Sequence, residues 1–230
     1  MEVKFVRGYP CMLMGRTLIL ADLHLGYELM LRARDVYVSE IRTLVNSIST
    51  IRKRTKARSI IIVGDLKHQL VRRLRDEALL LRGFVRFLHK EFEDVLLVKG
   101  NHDGKIEEIT SELRVCKFVS FNGDVLLLHG HALFGLDVEH YKTVIMAHVH
   151  PAMKSLTRDE RVWIVMRNRN GQRLIIMPSF ASLVGMLYLT RDSLFSLVKE
   201  NAIVKKFSPV NCEIYSLFGK KLCELYELRA

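Results

Sequence analysis

Seven of the nine histidines in this sequence sit in short motifs with aspartate, asparagine and glycine. The motifs are Asp22-Leu-His24, Gly64-Asp65-Leu-Lys-His68, Gly100-Asn-His-Asp103, His129-Gly-His131 and His148-Val-His150-Pro151. Carboxylate, imidazole and amide oxygen are borderline-to-hard donors suited to Mn²⁺, Fe, Zn²⁺ or related divalent ions such as Ni²⁺. Asp22, His24, Asp65, Asn101, His129, His148 and His150 are the candidate ligands. Two ions about 3.5–4 Å apart need a shared carboxylate and a bridging water, which becomes a nucleophile when its pKa falls. Asp65 is the candidate bridge. Pairs such as D-x-H or H-x-H arise by chance, and the same residue types also cap strand ends by hydrogen bonding. Their concentration in five successive motifs favours the metal reading.

Each motif follows a short β-type run: Leu18-Ile-Leu-Ala, Ile60-Ile-Ile-Val, Val95-Leu-Leu-Val, Val125-Leu-Leu-Leu and Val144-Ile-Met-Ala. Runs without polar alternation suit strands covered on both faces, and open α/β sheets bind ligands beyond the carboxyl ends of their strands. The five motifs should therefore converge. Ile41, Leu44, Val45, Ile48 and Ile51 recur at helical spacing behind a candidate N-cap, Ser39. Leu74, Ala78, Leu81, Val85 and Leu88 form a second helical stripe, with Arg72, Arg75, Arg82 and Arg86 on an adjacent face. Asn122-Gly123 and Asn170-Gly171 mark hairpins. From about residue 160 mostly strands are expected, over 161–167, 173–177 and 186–189, with further pieces after 201.

The 230 residues fit one domain spanning 1–230, with 36 Lys and Arg against 25 Asp and Glu, a formal charge of +11. That excess makes an anionic partner plausible without naming it. The four cysteines form no C-x-x-C pair, which argues against a zinc knuckle or disulfide framework. The start lacks a secretory pattern, and no apolar run is long enough to span a bilayer, so a soluble, cytoplasmic protein with no membrane partner is expected. Oligomeric state is left open, a homodimer among the options. The densest basic run, Arg52–Arg58, falls between a helix end and a strand start, away from the motif loops, where cations complement a helix C-terminus. Lys67, Arg72, Arg73, Lys99 and Lys105, followed by Arg32 and Arg34, are better placed for phosphate contacts. Tyr27, Phe134 and Tyr141 are rim candidates that could stack on a base or simply pack, and Trp163 reads as core.

In order and spacing the five motifs resemble the calcineurin-like metallophosphoesterase superfamily, over residues 22–150, and look most like its archaeal SbcD-related branch. The resemblance implies a four-layer α/β/β/α sandwich with two mixed sheets face to face. It implies that Asp22, His24, Asp65 and His150 surround one metal, and that Asp65, Asn101, His129 and His148 surround the other, with Mn²⁺ favoured. It also places His102 outside the metal shell beside the scissile phosphate, where it could orient the phosphoryl group or protonate the leaving oxygen as a general acid; Asp103, next in sequence, is the candidate to hold its other ring nitrogen. His131 and His68 are candidates for outer hydrogen bonding or substrate contact.

The sequence departs from that pattern at Ala147, which stands where glycine is common, and at His68-Gln69, which replaces an Asp-Arg pair common in phosphomonoesterases and protein phosphatases. The second departure shifts the expected substrate towards phosphodiesters. The expectation is a binuclear phosphodiesterase or nuclease acting on DNA or RNA through a metal-bridging hydroxide. The alternatives are a phosphomonoesterase or nucleotide phosphatase and, in another class, a protein-interaction scaffold.

Overall fold

The computed structural model describes residues 2–32, 35–68, 75–157 and 159–226. Arg34, Gln69, Arg72, Arg73 and Leu74 lie outside them. The first sheet has order β1 (Val3–Phe5), β2 (Cys11–Met14), β3 (Thr17–Leu20), β4 (Ser59–Val63), β5 (Asp94–Val98) and β6 (Arg114–Cys116). Strands β3 to β6 are parallel, while β1 and β2 extend the sheet as antiparallel hairpins. Between them come α1 (Tyr27–Arg32), α2 (Glu40–Thr55), α3 (Arg75–Glu91) and α4 (Ile106–Ile109).

The second sheet comprises β7 (Phe118–Phe121), β8 (Val125–Leu128), β9 (Thr143–Met146), β10 (Pro151–Met153), β11 (Glu160–Arg167), β12 (Arg173–Ile176), β13 (Leu187–Tyr188), β14 (Asn211–Ser216) and β15 (Lys221–Tyr226). Its main path runs β13-β10-β11-β12-β9-β8-β7, and β14 joins through β11. Asn122-Gly123 connects antiparallel β7 and β8, and Asn170-Gly171 connects antiparallel β11 and β12, as expected. Strands β8, β9 and β12 are parallel.

The period of two in a strand explains the unbroken apolar runs. In β4, Ile60 and Ile62 pack with Leu44, Ile48 and Ile51 of α2 and Leu81, Val85 and Leu88 of α3. Ile61 and Val63 face the other way, against Leu127, Ile145, Trp163 and Ile175 of the second sheet. Each fully buried Leu or Ile contributes about 1.5–3 kcal/mol, so both faces of β4 stabilise the layering. Trp163 is core, its ring stacked 4.4 Å from Phe5 across the sheets.

Two expectations need correction. Ser39 precedes α2 but makes no side-chain cap; Glu28 Oε2 accepts instead from the N–H groups of Glu40 (2.7 Å) and Ile41 (3.2 Å). After β13 the chain forms α5 (Arg191–Glu200) and α6 (Ala202–Phe207) before the last two strands. Thr190 and Ser193 form a capping box at α5, Asn201 Oδ1 caps α6, and Leu194, Leu197, Val198, Ile203, Val204 and Phe207 cover the second sheet. These helices complete the fourth layer. Among the described residues no helix is long and apolar enough to cross a membrane.

Candidate metal centre

Asp22 and His24 follow β3, Asp65 follows β4, and His148 and His150 follow β9. Two backbone hydrogen bonds lace the first two loops together, Asp22 N–H to Gly64 O (3.1 Å) and His24 N–H to Asp65 O (2.9 Å). Gly64 is required by proximity, because a β-carbon there would lie 2.1 Å from His129 Nδ1. Five candidate ligands have left-handed backbones: Asp22 (φ 56°), His24 (44°), Asp65 (49°), His148 (70°) and His150 (51°). Such a conformation costs a non-glycine residue roughly 1–2 kcal/mol, and residues that retain it cluster at functional sites.

Three close groups form among the described residues: His24–His68–His102, without a carboxylate, and two aspartate-containing triads, Asp22–His24–His150 and Asp65–His129–His148, the ligand atoms of each lying within 4.8 Å of one another. Asp65 stands between the two aspartate-containing triads, with Oδ2 3.2 Å from His129 Nε2 and 3.8 Å from His24 Nε2. Asp22 Oδ1 lies 3.4 Å from His150 Nε2 and 3.7 Å from His129 Nδ1. Asp22 Oδ1 and the Nε2 atoms of His24, His129 and His150 are buried without a hydrogen-bond partner among the described residues. Unsatisfied polar atoms are costly to bury, and four of them on adjoining residues fit metal coordination. Backbone carbonyls set two of the rings: His129 Nδ1 donates to Val63 O (3.0 Å) and His150 Nδ1 to Gly185 O (2.8 Å). Each bond leaves Nε2 facing the cluster.

The electrostatics match a cation-shaped centre. Burial pushes Asp65 towards its neutral form, but His129 and His102 outweigh it and hold the carboxyl well below the ordinary range. Burial pushes His129 down, and the Asp65 and Asp22 carboxylates lift it to about 9. Burial lowers His24 and His148 to about 4, although both carboxylates oppose it. Against burial, Asp22 also raises His150, so without metal His129 and His150 are the histidines that favour the charged form beside the acids, while burial keeps His24 and His148 neutral. Divalent ions would take over that balancing role.

His102 is half-buried, with Nε2 4.0 Å from Asp65 Oδ2 and its backbone N–H donated to Asp65 Oδ1 (2.9 Å). Its Nδ1 is held by the His68 carbonyl, not by Asp103. Asp103 is fully buried and spends both oxygens on backbone, Oδ2 on Gly100 N–H (2.8 Å) and Oδ1 on Lys67 N–H (3.2 Å). It braces two loops instead of orienting His102. Burial raises its carboxyl to about 6, against those two donors.

His68 lies on the same rim, its Nδ1 3.5 Å from His24 Nδ1 and its ring edge-on to Tyr27 at 4.6 Å. His131 packs on His129 (5.4 Å) and His148 (6.2 Å) by ring contact alone. Asn101, on the loop between Gly100 and His102, keeps an exposed side chain. Lys67 is buried, Lys99 pairs with Glu107 (2.7 Å), and Lys105 is exposed. His89 is exposed on α3, and Tyr141 packs against the second sheet's core. The basic run lies at the start of β4, the end opposite Asp65. Sequence reading missed the carbonyls of Val63, Gly185 and His68, because backbone atoms carry no residue-type signal.

A model of the calcineurin-like phosphoesterase family matches residues 15–178, which include all five motifs. This chain belongs to that family. The phosphoesterase family uses divalent metal ions, in keeping with the paired aspartate–histidine triads. No curated protein shows significant sequence similarity to the chain. Among solved structures, a nuclease named MPE from Pseudomonas putida shares 17% identity at a TM-score of 0.62, covering 94% of this chain and 96% of that one. YfcE, a phosphoesterase from E. coli, shares 13% identity at a TM-score of 0.47, over 92% and 98% of the two chains. The first of these likenesses supports the phosphoesterase fold of two mixed sheets with outer helices.

Proposed function

We propose that this phosphoesterase is a binuclear, Mn²⁺-favouring phosphodiesterase that hydrolyses nucleic acid. The observation that carries the reading is the position of Asp65 between the two triads, with orphaned donor atoms on both sides of it. Asp22, His24 and His150 would hold one ion and His129 and His148 the other, with Asp65 shared and Asn101 completing the second set from its exposed loop. When bound, the ions supply Lewis acidity and a nucleophile derived from water. His102, with Nδ1 tied to the His68 carbonyl, keeps Nε2 for the substrate and protonates the leaving oxygen.

Two features support a diester substrate over a monoester. His68-Gln69 replaces the phosphate-clamping Asp-Arg pair, and the chain carries +11. The Gly64-Asp65-Leu-Lys-His68 form of the second motif also supports placement in the SbcD-related branch. The test is hydrolysis of bis-p-nitrophenyl phosphate, p-nitrophenyl phosphate and single- and double-stranded nucleic acid, with Mn²⁺ or EDTA. Diester and nucleic-acid cleavage with Mn²⁺ alone is expected. Monoester cleavage without diester cleavage would replace the reading with a phosphomonoesterase, and silence on every substrate would leave a scaffold.

A further inference from the structure

Beside the His129–His148 side of the centre, the chain displays an aromatic ring in a backbone conformation that an aromatic residue avoids. Leu136 N–H bonds to Leu133 O (3.0 Å), closing a turn whose central residues are Phe134 (φ 52°) and Gly135 (φ 71°). Turns with two left-handed central residues favour Asn, Asp and Gly, so Phe at the first position runs against local preference. The turn is nevertheless well anchored. Leu133 and Leu136 pack on the second sheet's core, Lys206 Nζ donates to Leu136 O (3.2 Å), and Asn201 Nδ2 donates to Gly130 O (3.1 Å). The anchors hold the backbone while Phe134 as a residue stays 37% exposed.

The ring leads directly to the centre. It lies 5.4 Å edge-on from His131, which in turn contacts His129 and His148. Lys117 Nζ stands over the Phe134 ring, 5.9 Å from its centroid. Lys117 is exposed and has no acidic partner among the described residues. It follows β6, next to the loop that carries Asn101, because Lys99 N–H bonds to Cys116 O (2.8 Å). A partly exposed aromatic ring and a cation without an acidic partner therefore adjoin the centre on one rim, among the described residues. Base stacking on an aromatic side chain beside a backbone-tracking cation is the chemistry by which single strands are held.

We infer that Phe134 and Lys117 form a nucleotide subsite for a single-stranded nucleic acid, Phe134 stacking the base next to the scissile phosphate and Lys117 meeting a neighbouring phosphate. This rests on the nucleic-acid reading above but is tested apart from catalysis. Binding of fluorescein-labelled oligothymidylate and of an abasic strand of equal length is measured by anisotropy in EDTA. The wild-type protein should bind the base-bearing strand about tenfold more tightly. Phe134→Ala should erase that difference, and Phe134→Tyr should keep it. Lys117→Ala should weaken both strands equally and lower the salt slope by about one.

Equal wild-type affinity for the two strands, or a Phe134→Ala variant that keeps the preference, overturns the subsite. Base-dependent binding without any Mn²⁺-dependent ester hydrolysis would sink the hydrolase and leave the subsite standing. Nucleic-acid cleavage without base-dependent binding would do the reverse.

Discussion

Gly100 lies so close to Asp65 that a β-carbon at position 100 would stand 2.1 Å from Asp65 Oδ1 and 2.4 Å from its backbone nitrogen. The glycine of the third motif is there to let the central carboxylate in. Gly100→Ala must push Asp65 or its loop aside, at a cost of about 1–3 kcal/mol, and should weaken metal binding as well. Gly104→Ala, where nothing lies within 4 Å of the added carbon, is the control. Urea unfolding of the two variants checks the difference, and equal stability would remove the close-approach argument.

Asp103→Asn is not a conservative change. Both carboxylate oxygens accept backbone N–H groups, from Gly100 and Lys67, whereas a carboxamide offers one acceptor and turns its NH₂ towards the other donor. A loss of about 1–3 kcal/mol is expected in urea unfolding, even though the substitution relieves the burial of charge. A variant as stable as the parent would show that the brace is dispensable.

His102→Ala should lower kcat for bis-p-nitrophenyl phosphate by about 10²–10⁴-fold, the range for a general acid, while Mn²⁺ binding by calorimetry stays near the parent value. Loss of metal binding in the same variant would make His102 a ligand instead.

The EDTA-treated protein should be most stable near pH 6.5. His129 is raised to about 9, above the ordinary histidine value of 6.5, so its contribution is complete below pH 6.5 and is lost as pH rises through 9. His24 and His148 are lowered to about 4; the unfolded chain protonates them first, so stability falls as pH drops from 6.5 towards 4. Thermal melts across pH 4–9 with EDTA should trace that dome, and Mn²⁺ should flatten its alkaline side. An apo melting temperature that rose steadily between pH 6.5 and 9 would contradict the assignment for His129.

The sheets were legible because β4 repeats one apolar type through Ile60, Ile61, Ile62 and Val63, a pattern that only two-sided burial accommodates. The turns at Asn122-Gly123 and Asn170-Gly171 were legible because their chemistry is local. Helices α5 and α6 were not. They are short, and Ile203, Val204 and Phe207 are β-forming types that bury only because tertiary packing overrides propensity. In the site, the residue types exposed the donors but not their directions. Asp103 sits next to His102 in sequence, yet its oxygens find the backbone of Gly100 and Lys67, while the His68 carbonyl takes the ring. Glu28 likewise caps α2 from 12 residues upstream of Glu40, beyond any local capping pattern.

In the proposed centre Asp65 would join two ions held by the flanking triads. The direct measurement is Mn²⁺ stoichiometry by equilibrium dialysis on EDTA-stripped protein, read together with the electron paramagnetic resonance spectrum of the loaded samples. The wild-type chain should take up two Mn²⁺ and show an exchange-coupled pair, and Asp65→Asn should lose the coupling together with ester hydrolysis. One uncoupled ion in the wild-type protein, or an Asp65→Asn variant with coupling and activity intact, would contradict the account.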